Sequence, residues 1–259
     1  MSQPIVDNFT WGSYRALLGL IEANGYSFAT YGDYENHERP CIIRHDIDAS
    51  LEAACDMARF EHECCPELKA TYFVLVSSDW YNVNSRKNRE LMREIQDMGH
   101  VIGLHFDDTQ YADIDDPECF CQRILEEAEL LERACGAQIA SISMHKPRQE
   151  LLGGDFQVAG LHNAYSDVFF HDFKYISDSA MHWRENPYEV ITCGAYDRLQ
   201  VLTHPIWYTA DHKEVRHKLA EIVGRGVKER YGLMDDTFNQ LQAVIREDEI
   251  TCEYPFLKS

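Results

Sequence analysis

The sequence predicts an α/β protein built on a parallel sheet, and three observations carry that expectation. Apolar residues alternate along the chain between helical spacing and short continuous runs. The run Ala70-Thr71-Tyr72-Phe73-Val74-Leu75-Val76 is β-branched, aromatic and free of charge, as suits a strand buried on both faces. No Pro/Ser-rich linker and no internal repeat interrupts the 259 residues, so a single domain over 1–259 is expected. Helices at about 10–24 and 235–246 should pack against its sheet. A barrel and an open doubly wound sheet both satisfy this pattern.

The elements follow in order. Thr10 is placed to cap a helix whose apolar stripe is Tyr14, Leu17, Leu18 and Ile21, stopped by Asn24-Gly25. Cys41-Ile42-Ile43 reads as a strand, and Ser50 caps a helix burying Leu51, Ala54, Cys55 and Ala58. The strand over 70–76 precedes a helix with Leu91, Ile95 and Met98 inside, which Gly99 ends. A strand over 101–104 leads to a helix opened by Asp116-Pro117 and closed by Gly136. Residues 139–144 form the next strand. The segment 149–186 shows no clear period, apart from a short strand at Tyr175-Ile176-Ser177. Val201-Leu202-Thr203 is another strand, followed by a helix carrying Val215, Leu219 and Ile222 and a last one presenting Phe238, Leu241 and Ile245.

Composition narrows the function classes. A formal net charge of −20 repels a phosphate backbone and anionic lipid, which argues against nucleic acid or membrane surface as partners. No stretch reaches the ~20 apolar residues of a membrane span, and the start of the chain carries no secretory pattern, so a cytoplasmic location is expected. Nine cysteines, with Cys64 beside Cys65 and Cys119 near Cys121, suit reduced thiols better than a disulfide framework.

The polar residues that could carry chemistry fall at strand ends. Arg44-His45-Asp46-Ile47-Asp48 follows the first strand, and His105, Asp107 and Asp108 follow the one over 101–104. His145 and His204 each follow a strand of their own. Parallel α/β folds bring the C-terminal ends of their strands to one face, so these groups should share one mouth. Carboxylate plus imidazole is the ligand set of a catalytic divalent ion such as zinc. A carboxylate outside that set can take a proton from water, and a histidine can give one to a leaving group. The bland alternatives are that Asp48 caps a helix, that His100 is structural, and that Glu61-His62-Glu63, His171 and His182 lie on the surface or the pocket rim.

At these residues the sequence resembles the polysaccharide deacetylase (NodB-homology) superfamily, over roughly 14–208. The resemblance rests on His45-Asp46-Ile47-Asp48, Lys69-Ala70-Thr71-Tyr72-Phe73, Gly99-His100-Val101-Ile102-Gly103-Leu104-His105, His145-Lys146-Pro147 and Leu202-Thr203-His204-Pro205. It looks closest to the branch associated with surface-polysaccharide gene clusters. The resemblance implies a distorted (β/α) barrel with fewer than eight complete units. It further implies Asp46 as general base, Asp48 and His105 as metal ligands, and His204 as general acid.

Two positions depart from the family pattern. Thr109 stands where a second metal histidine is usual. His145, Asp107 or Asp108 can take that place, and His145 is preferred because imidazole suits the site. Lys146 stands where a base-orienting arginine is usual, and it lacks the bidentate fork. Asp178 and Trp183 join Lys146 as candidate substrate-contacting residues, with Asp178 also a candidate for the acidic partner near that motif.

The implied activity is metal-dependent N-deacetylation of a sugar or sugar precursor, with a nucleotide sugar or glycolipid precursor as substrate. Zinc is the first choice of metal, with iron, manganese and cobalt as alternatives. Hydrolysis of an ester or a non-sugar amide, and a non-catalytic carbohydrate-binding role, stand beside it.

Overall fold

Polar caps start the helices where the sequence places them. In the computed structural model, which describes residues 8–148 and 156–250, the Thr10 hydroxyl accepts from the Ser13 N–H and opens α1 (Trp11–Ala23). Ser50 opens α2 (Leu51–Cys64) through the Ala53 N–H, and Ser85 opens α3 (Arg86–Asp97) through that of Asn88. Asp116 caps α4 (Pro117–Cys135), which has Pro117 at its first position and the left-handed Gly136 at its end. The buried stripe of α1 is Tyr14, Leu17, Leu18 and Ile21, as the spacing requires. In α3 the inward positions are Met92 and Ile95 rather than Leu91.

The strands are β1 (Ser27–Ala29), β2 (Pro40–Ile47), β3 (Thr71–Leu75), β4 (Val101–Phe106), β5 (Ser141–Met144), β6 (His162–Asn163), β7 (Lys174–Ser177) and β8 (Leu199–Thr203). They form one parallel sheet in the order β6-β5-β4-β3-β2-β8-β7, with β1 beside the first residues of β2. The sheet is therefore α/β, as expected. The sequence reading did not place β1, β6 or the helix α5 (Pro187–Thr192).

Side-chain hydrogen bonds show that this sheet curls into a barrel. β6 and β8 are five strand spacings apart, which in a flat sheet is about 24 Å. Yet Gln200 of β8 donates to the Ala164 carbonyl just past β6, at 3.4 Å, and to that of Phe169 at 3.1 Å. Arg44 of β2 likewise reaches Ser143 of β5, three strands away. Among the described residues no ladder joins β6 to β7, so the barrel has a seam there, as a distorted barrel requires.

The interior below the mouth is filled by Tyr31, Ile42, Phe73, Ala164, Phe169 and Phe173. Gly103 lets this packing form. A Cβ at that position would lie 2.6 Å from Cε1 of Phe73 and 2.9 Å from Oγ of Ser141.

By its internal contacts the chain divides into two compact units, 1–210 and 211–259. The first holds the sheet and α1 to α5. The second holds α6 (Val215–Thr237) and α7 (Leu241–Val244), with the Tyr231 hydroxyl donating to the Ile245 carbonyl at 2.9 Å. The single helix expected at 235–246 is thus the end of a 23-residue helix, a break at Phe238, and a short turn of helix. Gln240, in left-handed conformation, marks that break.

Among the described residues no helix is long and apolar enough to cross a membrane. The eight described cysteines are free thiols.

Candidate active site

The site is built from β2 outward. Side chains alternate along a strand, so Arg44 and Asp46 share one face while His45 takes the other. Inside the barrel the two inward residues pair. Arg44 Nε donates to Asp46 Oδ1 at 3.2 Å and its NH2 group donates to Oδ2 at 2.7 Å. The same NH2 group reaches Ser143 Oγ at 2.5 Å and the Tyr165 hydroxyl at 3.2 Å. The guanidinium lies between the rings of Phe73 and Tyr165, 5.2 and 4.9 Å from their centres. Burial alone raises the Asp46 carboxyl, but Arg44, with His105 and His204, outweighs it and holds the pKa below the usual carboxylate range.

Three further side chains converge beside this pair. Asp48 Oδ1 lies 3.3 Å from His105 Nε2 and 3.2 Å from His145 Nδ1, and the two nitrogens are 3.2 Å apart. Among the described residues this is the one group of three or more His, Cys, Asp or Glu side chains placed to hold a metal. Its dimensions fit an ion. Four ligands held tetrahedrally at 2.0–2.1 Å are about 3.3 Å from one another. The Asp48 Oδ1 atom is buried and makes no aligned hydrogen bond, although both imidazole nitrogens lie within 3.3 Å of it.

His204 follows β8 and is held by Asp178, which follows the neighbouring β7. The Asp178 carboxylate accepts from the His204 backbone N–H at 3.1 Å and from Nδ1 at 2.6 Å. That leaves Nε2 directed to the mouth, 3.8 Å from Asp48 Oδ2. Burial disfavours the imidazolium, but the adjacent Asp178 charge and its hydrogen bond outweigh it and push His204 up to about 9.

The structure thus brings together Asp46, Asp48, His105, His145 and His204, as the sequence expected. Thr109 turns aside and bonds to Asp107, which caps the turn after β4. Asp108 is buried against Arg148. Of the three alternatives, His145 alone reaches the cluster.

The three expected substrate-contacting residues differ. Asp178 is fully buried and its carboxylate accepts from both the backbone N–H and Nδ1 of His204. Trp183 stacks on Phe9, with ring centres 6.4 Å apart. Lys146 is exposed beside His145. The residue paired with the Asp46 carboxylate is Arg44. Period-two alternation in Arg44-His45-Asp46 was the signal for it.

Glu61 is a second correction. It is fully buried, accepting from the hydroxyls of Tyr14 and Tyr72 and bonded to His45 Nε2 at 2.9 Å. His100 is structural, accepting the Ala70 N–H at 3.2 Å.

No protein-family model matches the sequence, and no curated protein does. Solved structures do resemble it. The polysaccharide deacetylase Bc1974 from Bacillus cereus is 14% identical over 73% of this chain and 87% of its own, with a TM-score of 0.45. The Streptococcus pyogenes deacetylase PplD is 11% identical over 79% and 84%, at 0.41. The chitin deacetylase of Colletotrichum lindemuthianum is 14% identical over 72% and 81%, at 0.40. At such scores these likenesses are remote.

Proposed function

We propose that this chain is a divalent-metal-dependent hydrolase that removes an acyl group from an amide nitrogen on a sugar or sugar precursor. One observation carries the reading. A three-donor cluster with metal-ligand spacing lies beside the Asp46 carboxylate paired with Arg44 and the His204 imidazole paired with Asp178.

Asp48, His105 and His145 would hold the ion, and zinc suits two imidazoles with one carboxylate. When bound, such an ion acidifies water and polarises an acyl carbonyl.

The chain's own residues account for the proton movements. Asp46 is held ionised by Arg44 and takes the proton of the attacking water. A carboxylate held that low is a weak base, so it acts only on water made more acidic than bulk. His204 is protonated at neutral pH and gives its Nε2 proton to the departing amine. Asp178 on Nδ1 keeps the ring oriented and its charge compensated. The acid at neutral pH favours an amide over an ester, because an amine leaves only when protonated.

The test is metal content by mass spectrometry on protein purified without chelator, paired with acetate release from N-acetylated sugars. About one equivalent is expected in wild type and in Thr109→Ala, with none in His105→Ala or His145→Ala. A wild-type protein that takes up no zinc, manganese, cobalt or ferrous iron overturns the reading.

A further inference from the structure

We propose that α6 carries a self-association surface, along which two copies of this chain pair antiparallel about a two-fold axis at Gly226.

Apolar exposure is concentrated in the second unit. Of the twelve large apolar side chains exposed among the described residues, nine lie in 211–250. Five of these, Val215, Leu219, Val223, Leu233 and Met234, belong to α6 and are 43% to 66% exposed. At the turn of an α-helix they fall on one side of it, together with Gly226 and Arg230. The buried Ala220 and Tyr231 turn away from that side. α6 therefore has a packed face and a second apolar face that no described residue of its unit covers. Single exposed apolar residues are ordinary, but a row of them along a whole helix marks a contact surface.

Charge and size along the helix select the occupant. Residues 215–230 hold five Lys or Arg against two Glu, whereas 231–237 hold two Asp and no base. A parallel pair would set each of these charges beside its own copy. An antiparallel pair brings the basic stretch alongside the acidic end and opposes the two helix dipoles.

That pair has one natural register. Gly226 is the midpoint of α6, and a Cβ there would meet nothing within 4 Å, so two backbones can approach at this point. Leu219 and Leu233 stand seven residues on either side of it, and Val215 and Thr237 eleven. With the axis at Gly226, Leu219 of each copy lies against Leu233 of the other, and Val215 against Thr237. Arg230 lays its aliphatic stem on Ile222. On the flank Arg225 comes alongside Glu229 of the other copy, and neither enters an ion pair among the described residues. The patch is thus complementary to itself, as a two-fold contact requires. A lipid surface also suits an amphipathic helix, but Asp235, Asp236 and the net charge of −20 oppose anionic lipid.

A helix pair of this length is at the small end of stable interfaces, so a dissociation constant on the order of 10 µM is expected. Sedimentation equilibrium of the full chain, from well below that concentration to well above it, should carry the mass from 30.0 kDa towards twice that value. Leu219→Glu and Leu233→Glu should each hold it at the monomer mass, with the circular dichroism spectrum unchanged. Arg225→Glu alone and Glu229→Arg alone should each weaken association severalfold. An equimolar mixture of those two variants should recover it, because opposite charges then face each other across the axis on both sides. A damaged helix would not recover on mixing. Wild type that stays monomeric, a dimer that survives both leucine variants, or a mixture no tighter than its components overturns the proposal. Monomeric wild type that floats with vesicles of phosphatidylcholine and phosphatidylglycerol overturns it in favour of a lipid surface.

Discussion

The two faces of β2 each bury a cluster of charge, and the clusters end differently. On the outer face His45 meets Glu61, and both Glu61 oxygens are taken up by Tyr14, Tyr72 and His45, while Thr203 bonds the other His45 nitrogen at 2.7 Å. On the inner face Arg44 and Asp46 are equally buried, but beside them Asp48, His105 and His145 turn their donor atoms towards one another. Both clusters are costly to desolvate. The outer one closes its own hydrogen bonds and holds α1 and α2 to the sheet. The inner one leaves Asp48 Oδ1 without an aligned hydrogen bond and gathers three donor atoms that could hold an ion. Burial and charge are common to both clusters; what sets the inner one apart is a carboxylate oxygen and two imidazole nitrogens converging at the spacing of metal ligands.

This contrast can be broken by substitution. Asp46→Asn should cut turnover by about 10²- to 10⁴-fold, as loss of a general base does, and leave metal content near wild type. A loss of metal in that variant would make Asp46 a ligand. Glu61→Gln should do the opposite, lowering stability by about 3–5 kcal/mol because it breaks a buried pair while metal content holds. Urea unfolding followed by circular dichroism measures it, and an unchanged midpoint would show the outer cluster to be dispensable.

Gly103→Ala sharpens the contrast at the barrel wall. The added methyl meets Phe73, and overpacking of this kind costs about 1–3 kcal/mol. The smallest effect expected is on the pH profile. The raised pKa means that protonated His204 is present below pH 9 and lost as pH rises through about 9. Removing the adjacent charge in Asp178→Asn should move the alkaline limb of kcat to lower pH. A limb that stays in place would separate Asp178 from the acid.

Legibility in the sequence followed the strength of local signals. α1, α2 and α4 were readable because cap, apolar stripe and stop agree at Thr10, Ser50 and Asp116. The two-residue β6 and three-residue β1 carry too few side chains for a period to show. α5 did have a signal, Asn186 capping Tyr188 with Pro187 at the first position, but it sits at the end of an irregular stretch. The strand-end site residues were legible because parallel topology fixes where strand ends go.

The partners of those residues were not legible to the same degree. Glu61 reads as solvated within Glu61-His62-Glu63, yet it lies three positions beyond Ala58 on the buried face of α2. Asp178 and His204 meet only because β7 and β8 are neighbours, a pairing that local pattern does not encode.

The registry of β2 with β8, Cys41 against Leu199 through His45 against Thr203, bears on how the protein is made. Nearly 160 residues separate these partners. During synthesis β2 to β5 emerge first and can assemble as a sheet while one edge of β2 waits for a strand not yet translated. Asp48, His105 and His145 all belong to that early portion, so the ligand cluster can form before His204 leaves the ribosome. Until β8 arrives, the edge of β2, which carries Ile42, Ile43 and Ile47, is open to mispairing. The nascent chain therefore presents Asp48, His105 and His145 before His204, with an unpaired strand edge exposed in the interval between.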